Sequence, residues 1–328
     1  MISNKFLVLI SIFILFSCSK PVKDEKITLE GAVFGTTYKI VYLNTSINYQ
    51  KSIDSLFLLM NTSLSTYIPS SDISRINSGD TTVVVDDLFL EVFKKSKRIH
   101  KETNGYFDPT VGNLVNAWGF GPKNEKRNLT VTEIHELMQF VGLDFVKIID
   151  RQVFKKEAKI YLDFNSIAKG FGIDVVARFL TSKKITNYLV EIGGEIRAKG
   201  TKNNNIPWLI KIVDPTNEGL LQKYKSINLS NRSMATSGNY RKYRFTENGQ
   251  KFVHTINPIT GQALESNLLS ASVIANLDCA DVDAYATAFM AMGLKKSKIF
   301  LQKHPLIDGV LLFIDDDGRL KEYSTINN

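Results

Sequence analysis

The sequence predicts an α+β fold, a single domain of two interlocked lobes with a mostly antiparallel sheet and flanking helices. Apolar residues recur at helical spacing in the first half of the 328-residue chain; strand-like alternation and glycine turns dominate from about residue 146 to 274; helical spacing then returns. No internal repeat and no long Pro/Ser linker divides the chain. With 44% hydrophobic and 23% charged residues, disorder and low complexity are excluded.

At the N-terminus, Lys5 precedes an apolar stretch from Phe6 to Phe16, broken only by Ser11, that ends at Ser17-Cys18 and turns polar. This predicts a signal peptide over residues 1–17. At about 11 residues the stretch falls short of the roughly 20 that span a bilayer. Leu15-Phe16-Ser17-Cys18 resembles a bacterial lipobox, in which the cysteine is acylated and becomes the first mature residue. Lipidation at Cys18, a polar tether over residues 18–26 and a functional domain over 27–328 are therefore expected. The protein would be exported and lipid-anchored to a bacterial membrane, facing the periplasm or the cell exterior. Cys279 is the one other cysteine, which excludes a disulfide scaffold. The formal charge of +8 suits an anionic partner such as a nucleotide pyrophosphate or a membrane surface, and solvated lysines account for it as well. No nucleic-acid partner is expected.

Taken in order, Tyr38, Ile40 and Tyr42 alternate with Thr37, Lys39 and Val41, the period of an opening strand. Ile53, Leu56, Phe57, Met60 and Leu64 form a helical stripe. A second helix runs from about Asp87 to Thr103, with Phe89, Val92, Phe93, Ser96 and Ile99 inward and Asn104-Gly105 as its stop. Thr130 and Glu133 form a capping-box pattern ahead of Ile134, Leu137, Met138 and Val141. Val146–Ile149, Val153–Lys155 and Lys159–Asp163 read as a three-stranded meander. Ser166 to Leu180 is helical, with Ile167, Phe171, Val175 and Phe179 on one side. Strands at Leu189–Ile192, Glu195–Ala198, Trp208–Val213 and Lys251–Ile256 follow. The chain closes with helices at about Asp278–Met292 and Ser297–Lys303 and a hairpin around Asp315-Asp316-Asp317-Gly318.

Several familiar sites are excluded. His135-Glu136-Leu137-Met138-Gln139 has Gln where a zinc-protease helix needs its second histidine. Asp315-Asp316-Asp317-Gly318 places its glycine too early for an EF-hand loop and lacks a closing Glu. No phosphate-binding Gly-x-x-x-x-Gly-Lys-Ser/Thr loop, dinucleotide Gly-x-Gly-x-x-Gly fingerprint or Gly-x-Ser-x-Gly elbow occurs.

The candidates that remain are individually modest. Asp283 and Thr287 are four apart and project from one face of a helix, offering two oxygens to a hard cation such as Mg²⁺, which keeps open positions for phosphate. Read alone, such a pair is more often helix surface or a cap. Asp163 to Gly170 is a strand running into a helix, where Lys169 and the free N–H groups would attract a pyrophosphate, or a plain corner in which Asp163 or Asn165 caps the turn. His254, at a strand end before Asn257-Pro258, is a possible proton acceptor or a hydrogen-bonded structural histidine. Thr236-Ser237-Gly238-Asn239-Tyr240 and Gly193-Gly194-Glu195 are glycine turns that permit close backbone approach. Tyr67, the segment Tyr106 to Gly112 and Trp118 to Gly121 offer aromatic faces for flat rings or for a core.

In this order the segments resemble the ApbE family of FAD:protein FMN transferases, from about Gly31 to the C-terminal helices. Val33-Phe34-Gly35-Thr36, Ser65-Thr66-Tyr67 with Ser71 to Asn77, Tyr106 to Gly112, Trp118 to Gly121, Asp163 to Gly170, Gly193-Gly194-Glu195, Thr236 to Tyr240, His254 to Gly261 and Asp283 to Ala288 carry the likeness. The resemblance implies a Mg²⁺ held by Asp283, Thr287 and an oxygen of Ser166, with FAD contacted by Phe34, Tyr67, Phe107, Asp108, Asp163, Lys169 and His254. Phe34 stands where the family usually has methionine. The implied reaction, with His254 and Asp283 as the catalytic residues, moves FMN from FAD to a Thr or Ser hydroxyl of an acceptor protein and releases AMP. The family also suggests a membrane redox-pump subunit as acceptor. The rival readings are Mg-dependent FAD hydrolysis to FMN and AMP, and a non-enzymatic FAD-binding lipoprotein.

Overall fold

The computed structural model describes residues 25–122, 128–216, 222–239, 243–245, 251–263 and 266–326. The signal peptide, Cys18, the tether up to residue 24 and Tyr240 lie outside them. Strand pairing begins at Lys26, the last residue assigned to the tether, where β1 (Lys26–Val33) forms a hairpin with β2 (Thr36–Leu43). β2 is the expected opening strand, whereas β1 carries too few apolar residues to announce itself. Phe34 and Gly35 turn the hairpin with φ of 50° and 74°.

Helices α1 (Gln50–Leu64), α2 (Asp72–Asn77) and α3 (Asp87–Glu102) come next. α1 buries Ile53, Phe57, Met60 and Leu64, and α3 buries the five residues that its spacing marks. Asn104 and Gly105, with φ of 50° and 81°, end the α3 segment as expected. After α4 (Gly112–Ala117), α5 (Val131–Met138) starts in the anticipated capping box: the Thr130 hydroxyl accepts from the Glu133 N–H (3.2 Å), and the Glu133 carboxylate accepts from the Thr130 N–H (2.8 Å).

The meander is shorter than expected. β3 (Val146–Ile149) and β4 (Gln152–Lys155) pair across Asp150-Arg151, but 159–163 adds no third strand. Side chains claim its backbone instead. The Asn77 amide donates to the Leu162 carbonyl and accepts from the Leu162 N–H, both at 2.8 Å, while the Asp163 N–H donates to the Pro109 carbonyl. The helix expected from Ser166 begins two residues later, as α6 (Ala168–Ser182).

The remaining elements are β5 (Tyr188–Ile192), β6 (Glu195–Lys199), β7 (Trp208–Val213), β8 (Lys223–Leu229), β9 (Arg232–Gly238), β10 (Tyr243–Phe245), β11 (Lys251–Val253) and β12 (Leu268–Ala275). They close with α7 (Cys279–Lys303), β13 (Ile307–Ile314) and β14 (Leu320–Ser324). The strand expected to reach Ile256 stops at Val253, which leaves His254 in the following turn. α7 breaks at Gly293 (φ 75°), the division between the two helices foreseen there.

Among the described residues an eight-stranded sheet runs β1-β2-β5-β6-β9-β12-β13-β14, with every neighbouring pair antiparallel. One face packs on α1, α3, α6 and α7 in the principal core, which includes Ile40, Phe57, Phe89, Phe171, Ala235 and Phe289. The β7–β8 hairpin covers the other face, where Trp208, Ile210 and Ile212 meet Val41, Met234, Ile274 and Leu312. A satellite core of Leu114, Trp118, Phe120, Phe252 and Ile256 packs beneath α5, with Trp118 and Phe252 ring centroids 4.7 Å apart.

Candidate active site at the start of α6

A cleft of about 270 Å³ is lined by Tyr67, Phe107, Asp108, Asp163, Ser166, Lys169, His254, Asp283 and Thr287. Of the residues that the resemblance assigns to the metal, to FAD and to catalysis, all lie there except Phe34. That residue packs edge-on against Phe57 with centroids 5.6 Å apart, and its ring lies 2.7 Å from where a Cβ on Gly172 would stand. A phenylalanine with positive φ is uncommon, so the hairpin turn holds it against a local preference.

The α6 corner is built by its own side chains. Asp163 accepts from the Asn165 N–H (2.8 Å), making the turn that brings Ser166 to the cleft and launches α6. Lys169 and Gly170 occupy its first turn. The Gly170 N–H donates to Asp283 Oδ2 at 3.0 Å, so a carboxylate of α7 satisfies one of the unpaired amides at the α6 start. A Cβ on Gly170 would come within 2.4 Å of the Cys279 carbonyl, so only glycine lets the two helices approach this closely. The Lys169 ammonium lies 3.0 Å from Glu195 Oε1 and 3.9 Å from Asp283 Oδ1.

On α7, Asp283 is buried and Thr287 faces the cleft, with the Thr287 hydroxyl 3.3 Å from that of Ser237 on β9. Ser237 lines the cleft too; Thr236–Gly238, read from the sequence as part of a glycine turn, instead end the strand β9, and the side-chain role of Ser237 was not revealed by the sequence. The helical spacing of Asp283 and Thr287 does present both to one side. Three oxygen donors, Asp283, Thr287 and Ser166, border the same space, a hard set suited to Mg²⁺ that leaves coordination positions for phosphate.

His254 is half-buried and lines the same cleft, held by the turn that follows it. Asn257 accepts from the Ile259 N–H (2.9 Å) and donates to the Ala291 carbonyl of α7 (3.3 Å), and the Trp118 indole donates to the Gly261 carbonyl (2.9 Å). The turn is thereby tied both to the helix that carries Asp283 and to the satellite core.

Asp108 is used differently from a simple ligand contact. Oδ1 accepts from the N–H and hydroxyl of Thr110 (2.8 and 2.6 Å), and Oδ2 accepts from the Leu143 N–H (3.1 Å). Burial pushes its carboxyl above the usual range while these bonds oppose the rise. Its carboxylate thus shapes the loop beside the buried Phe107. Tyr67 stands at the rim, 56% exposed, and burial of its ring raises the phenol pKa, with Asp163 adding to the rise.

His135 and Glu136 are exposed on α5. Asp315 accepts from the N–H groups of Asp317 and Arg319, closing the β13–β14 hairpin.

The fold and cleft define an antiparallel α+β protein in which carboxylates, hydroxyls, a lysine and a histidine converge around one anion-sized space. The ApbE family profile matches residues 34–311, and the chain belongs to the ApbE family. It is 35% identical to the FAD:protein FMN transferase of Vibrio cholerae over 98% of this chain and 97% of that one. Against the enzyme of the same name from Haemophilus influenzae it is 37% identical, covering 93% and 90%. Among solved structures, the flavin transferase ApbE from Vibrio cholerae superposes with a TM-score of 0.80 at 34% identity, covering 92% of this chain and 97% of that one. The apo flavinyl transferase ApbE of Pseudomonas stutzeri superposes at 0.82 with 28% identity, covering 92% and 95%.

Proposed function

We propose that this protein transfers FMN from FAD to a Thr or Ser hydroxyl of an acceptor protein, releasing AMP. The carrying observation is that Asp163, Ser166, Lys169, His254, Asp283 and Thr287, distant in sequence, line one cleft in a chain related over nearly its whole length to FAD:protein FMN transferases.

In this reading the acceptor oxygen attacks the FMN-side phosphorus, a new P–O bond forms, and the bond to the AMP phosphate oxygen breaks. His254, half-buried in the lining of the cleft, takes the hydroxyl proton as general base. Lys169 presents positive charge to the diphosphate from the first turn of α6, where the helix N-terminus adds its own favourable field. Tyr67 and Phe107 supply faces for the flat rings, and Asp163 offers an acceptor for ribose or ring N–H groups. Asp283 and Thr287, with a Ser166 oxygen, would hold Mg²⁺. When bound, the ion neutralises diphosphate charge and fixes the line of attack.

Export, acylation of Cys18 and an acceptor among membrane redox-pump subunits complete the proposal. They are supported by the apolar N-terminal stretch and by the family resemblance. Among the described residues no helix is long and apolar enough to cross a membrane.

The test is mass spectrometry of a candidate acceptor subunit incubated with FAD, Mg²⁺ and the protein. One FMN adduct on a Thr or Ser, with AMP in equal amount, is expected. FMN and AMP released with no adduct would replace transfer by hydrolysis, and FAD bound without turnover would leave a carrier.

A further inference from the structure

We propose that Glu195 is a positioning residue that holds the Lys169 ammonium off Asp283, keeping that carboxylate available to a divalent cation. The proposal rests on the reading of Asp283 as a cation ligand given above.

Glu195 opens β6 directly after the Gly193-Gly194 turn and is only 2% exposed. Oε1 lies 3.0 Å from Lys169 Nζ, while Oε2, buried as well, has no hydrogen-bond partner among the described residues. A buried carboxylate is costly unless a charge answers it, so Glu195 and Lys169 stabilise each other. The turn helps to direct the lysine. A Cβ on Gly193 would stand 3.3 Å from Lys169 Cδ, so the stem runs across this hairpin towards Glu195.

The second carboxylate gives the pairing its consequence. Lys169 Nζ is 3.9 Å from Asp283 Oδ1, whereas Oδ2 receives the Gly170 N–H. The oxygen facing the lysine is thus the one not used by that amide. Coulomb attraction strengthens as distance falls, and with Glu195 nearer the ammonium stays on its side. Without the Glu195 charge, a flexible four-carbon stem would let the ammonium close the gap to Asp283, where it would compete with a cation for the same oxygen.

Mn²⁺ binding to the purified protein, followed by the loss of the free-ion electron paramagnetic resonance signal, tests this without reference to turnover. The wild type binds and D283N does not. E195Q binds about tenfold more weakly, equivalent to about 1.4 kcal/mol. The K169M/E195Q double variant, which has no ammonium to compete, returns to within about threefold of wild type, or about 0.7 kcal/mol. A protein in which Glu195 merely supported the fold would show no such recovery. E195D keeps the carboxylate and stays near wild type, and it carries the test if E195Q does not fold. E195Q at wild-type affinity, or a double variant as weak as E195Q, overturns the proposal for Glu195 alone. A wild type that binds no Mn²⁺, or D283N that binds it equally, overturns the cation site itself.

Discussion

Asp174 and Asp283 cap each other's helices. Asp174, on α6, accepts from the N–H groups of Cys279 and Ala280 at the start of α7, both at 2.8 Å, and Asp283, on α7, accepts from the Gly170 N–H at the start of α6. Neither helix begins with a cap from its own side chains, so each depends on the other for its first-turn amides. Lys169, proposed to meet the diphosphate, and Asp283 and Thr287, proposed to hold the cation, lie on the helices joined by this exchange.

Removing Asp174 should therefore unfasten the cleft as well as weaken the fold. D174A leaves two buried N–H groups without an acceptor, at about 1–3 kcal/mol each, partly offset by relaxation of the helix end. A net loss of about 3 kcal/mol is expected. Urea unfolding should show a lower midpoint at an unchanged slope.

The close approach at Gly170 gives a sharper geometric test. An added methyl would meet main-chain atoms of Cys279 and Ala280, which cannot rotate aside as a side chain can. G170A is expected to lose about 1–3 kcal/mol of stability by overpacking. Transfer should fall much further than this loss explains at temperatures where the variant remains folded, because the displacement moves Asp283 and Thr287, on α7, relative to Ser166 and the α6 start. Equal residual activity after correction for the folded fraction would count against that link.

Acid stability should carry opposing signatures from neighbouring carboxylates. Burial would raise Asp278, but hydrogen bonds from Lys95 and Arg197 outweigh it and bring the group down to about 2. Its folded-state value is depressed, so its contribution is present above the ordinary carboxylate range and lost as pH falls towards 2. Asp174 behaves oppositely. Burial pushes it up to about 6 despite the nearby Arg197 charge, so the folded state holds its proton longer than the unfolded chain, and stability declines from this source between about 4 and 6 as pH rises. Denaturation midpoints of D278N and wild type should differ at pH 5 and converge towards pH 2. A constant gap across that range would remove Asp278 from this role.

For His254, the expected result is a separation of binding from chemistry. H254A should lower kcat by about 10²–10⁴-fold, the usual worth of a positioned general base. FAD affinity, measured by quenching of flavin fluorescence, should change little by comparison. Full transfer by H254A at every pH would exclude it as the base.

Much of the lining of the candidate cleft was legible in the sequence because its signals are local. The spacing of Asp283 and Thr287 puts two oxygens on one helix face, and the run from Asp163 to Lys169 marks a helix start. Thr130 and Glu133 show their cap directly. What stayed hidden depends on pairing across the chain. Nothing near Glu195 or Asp174 marks them as buried partners of Lys169 and the α7 amides, because those neighbours come from other elements. Residues 159–163 alternate like a strand, yet Asn77, from α2, satisfies the Leu162 backbone in place of a ladder. Asp108 has the chemistry of a ligand contact, and only the fold shows both its oxygens turned to Thr110 and Leu143.

The proposed metal grip is most directly read from a crystal grown with FAD and Mn²⁺, using the anomalous scattering of the metal. The account predicts one peak beside the flavin dinucleotide's diphosphate, within about 2.0–2.3 Å of an Asp283 carboxylate oxygen and the Thr287 hydroxyl. A metal peak elsewhere on the diphosphate, with those two side chains turned from it, would contradict the account.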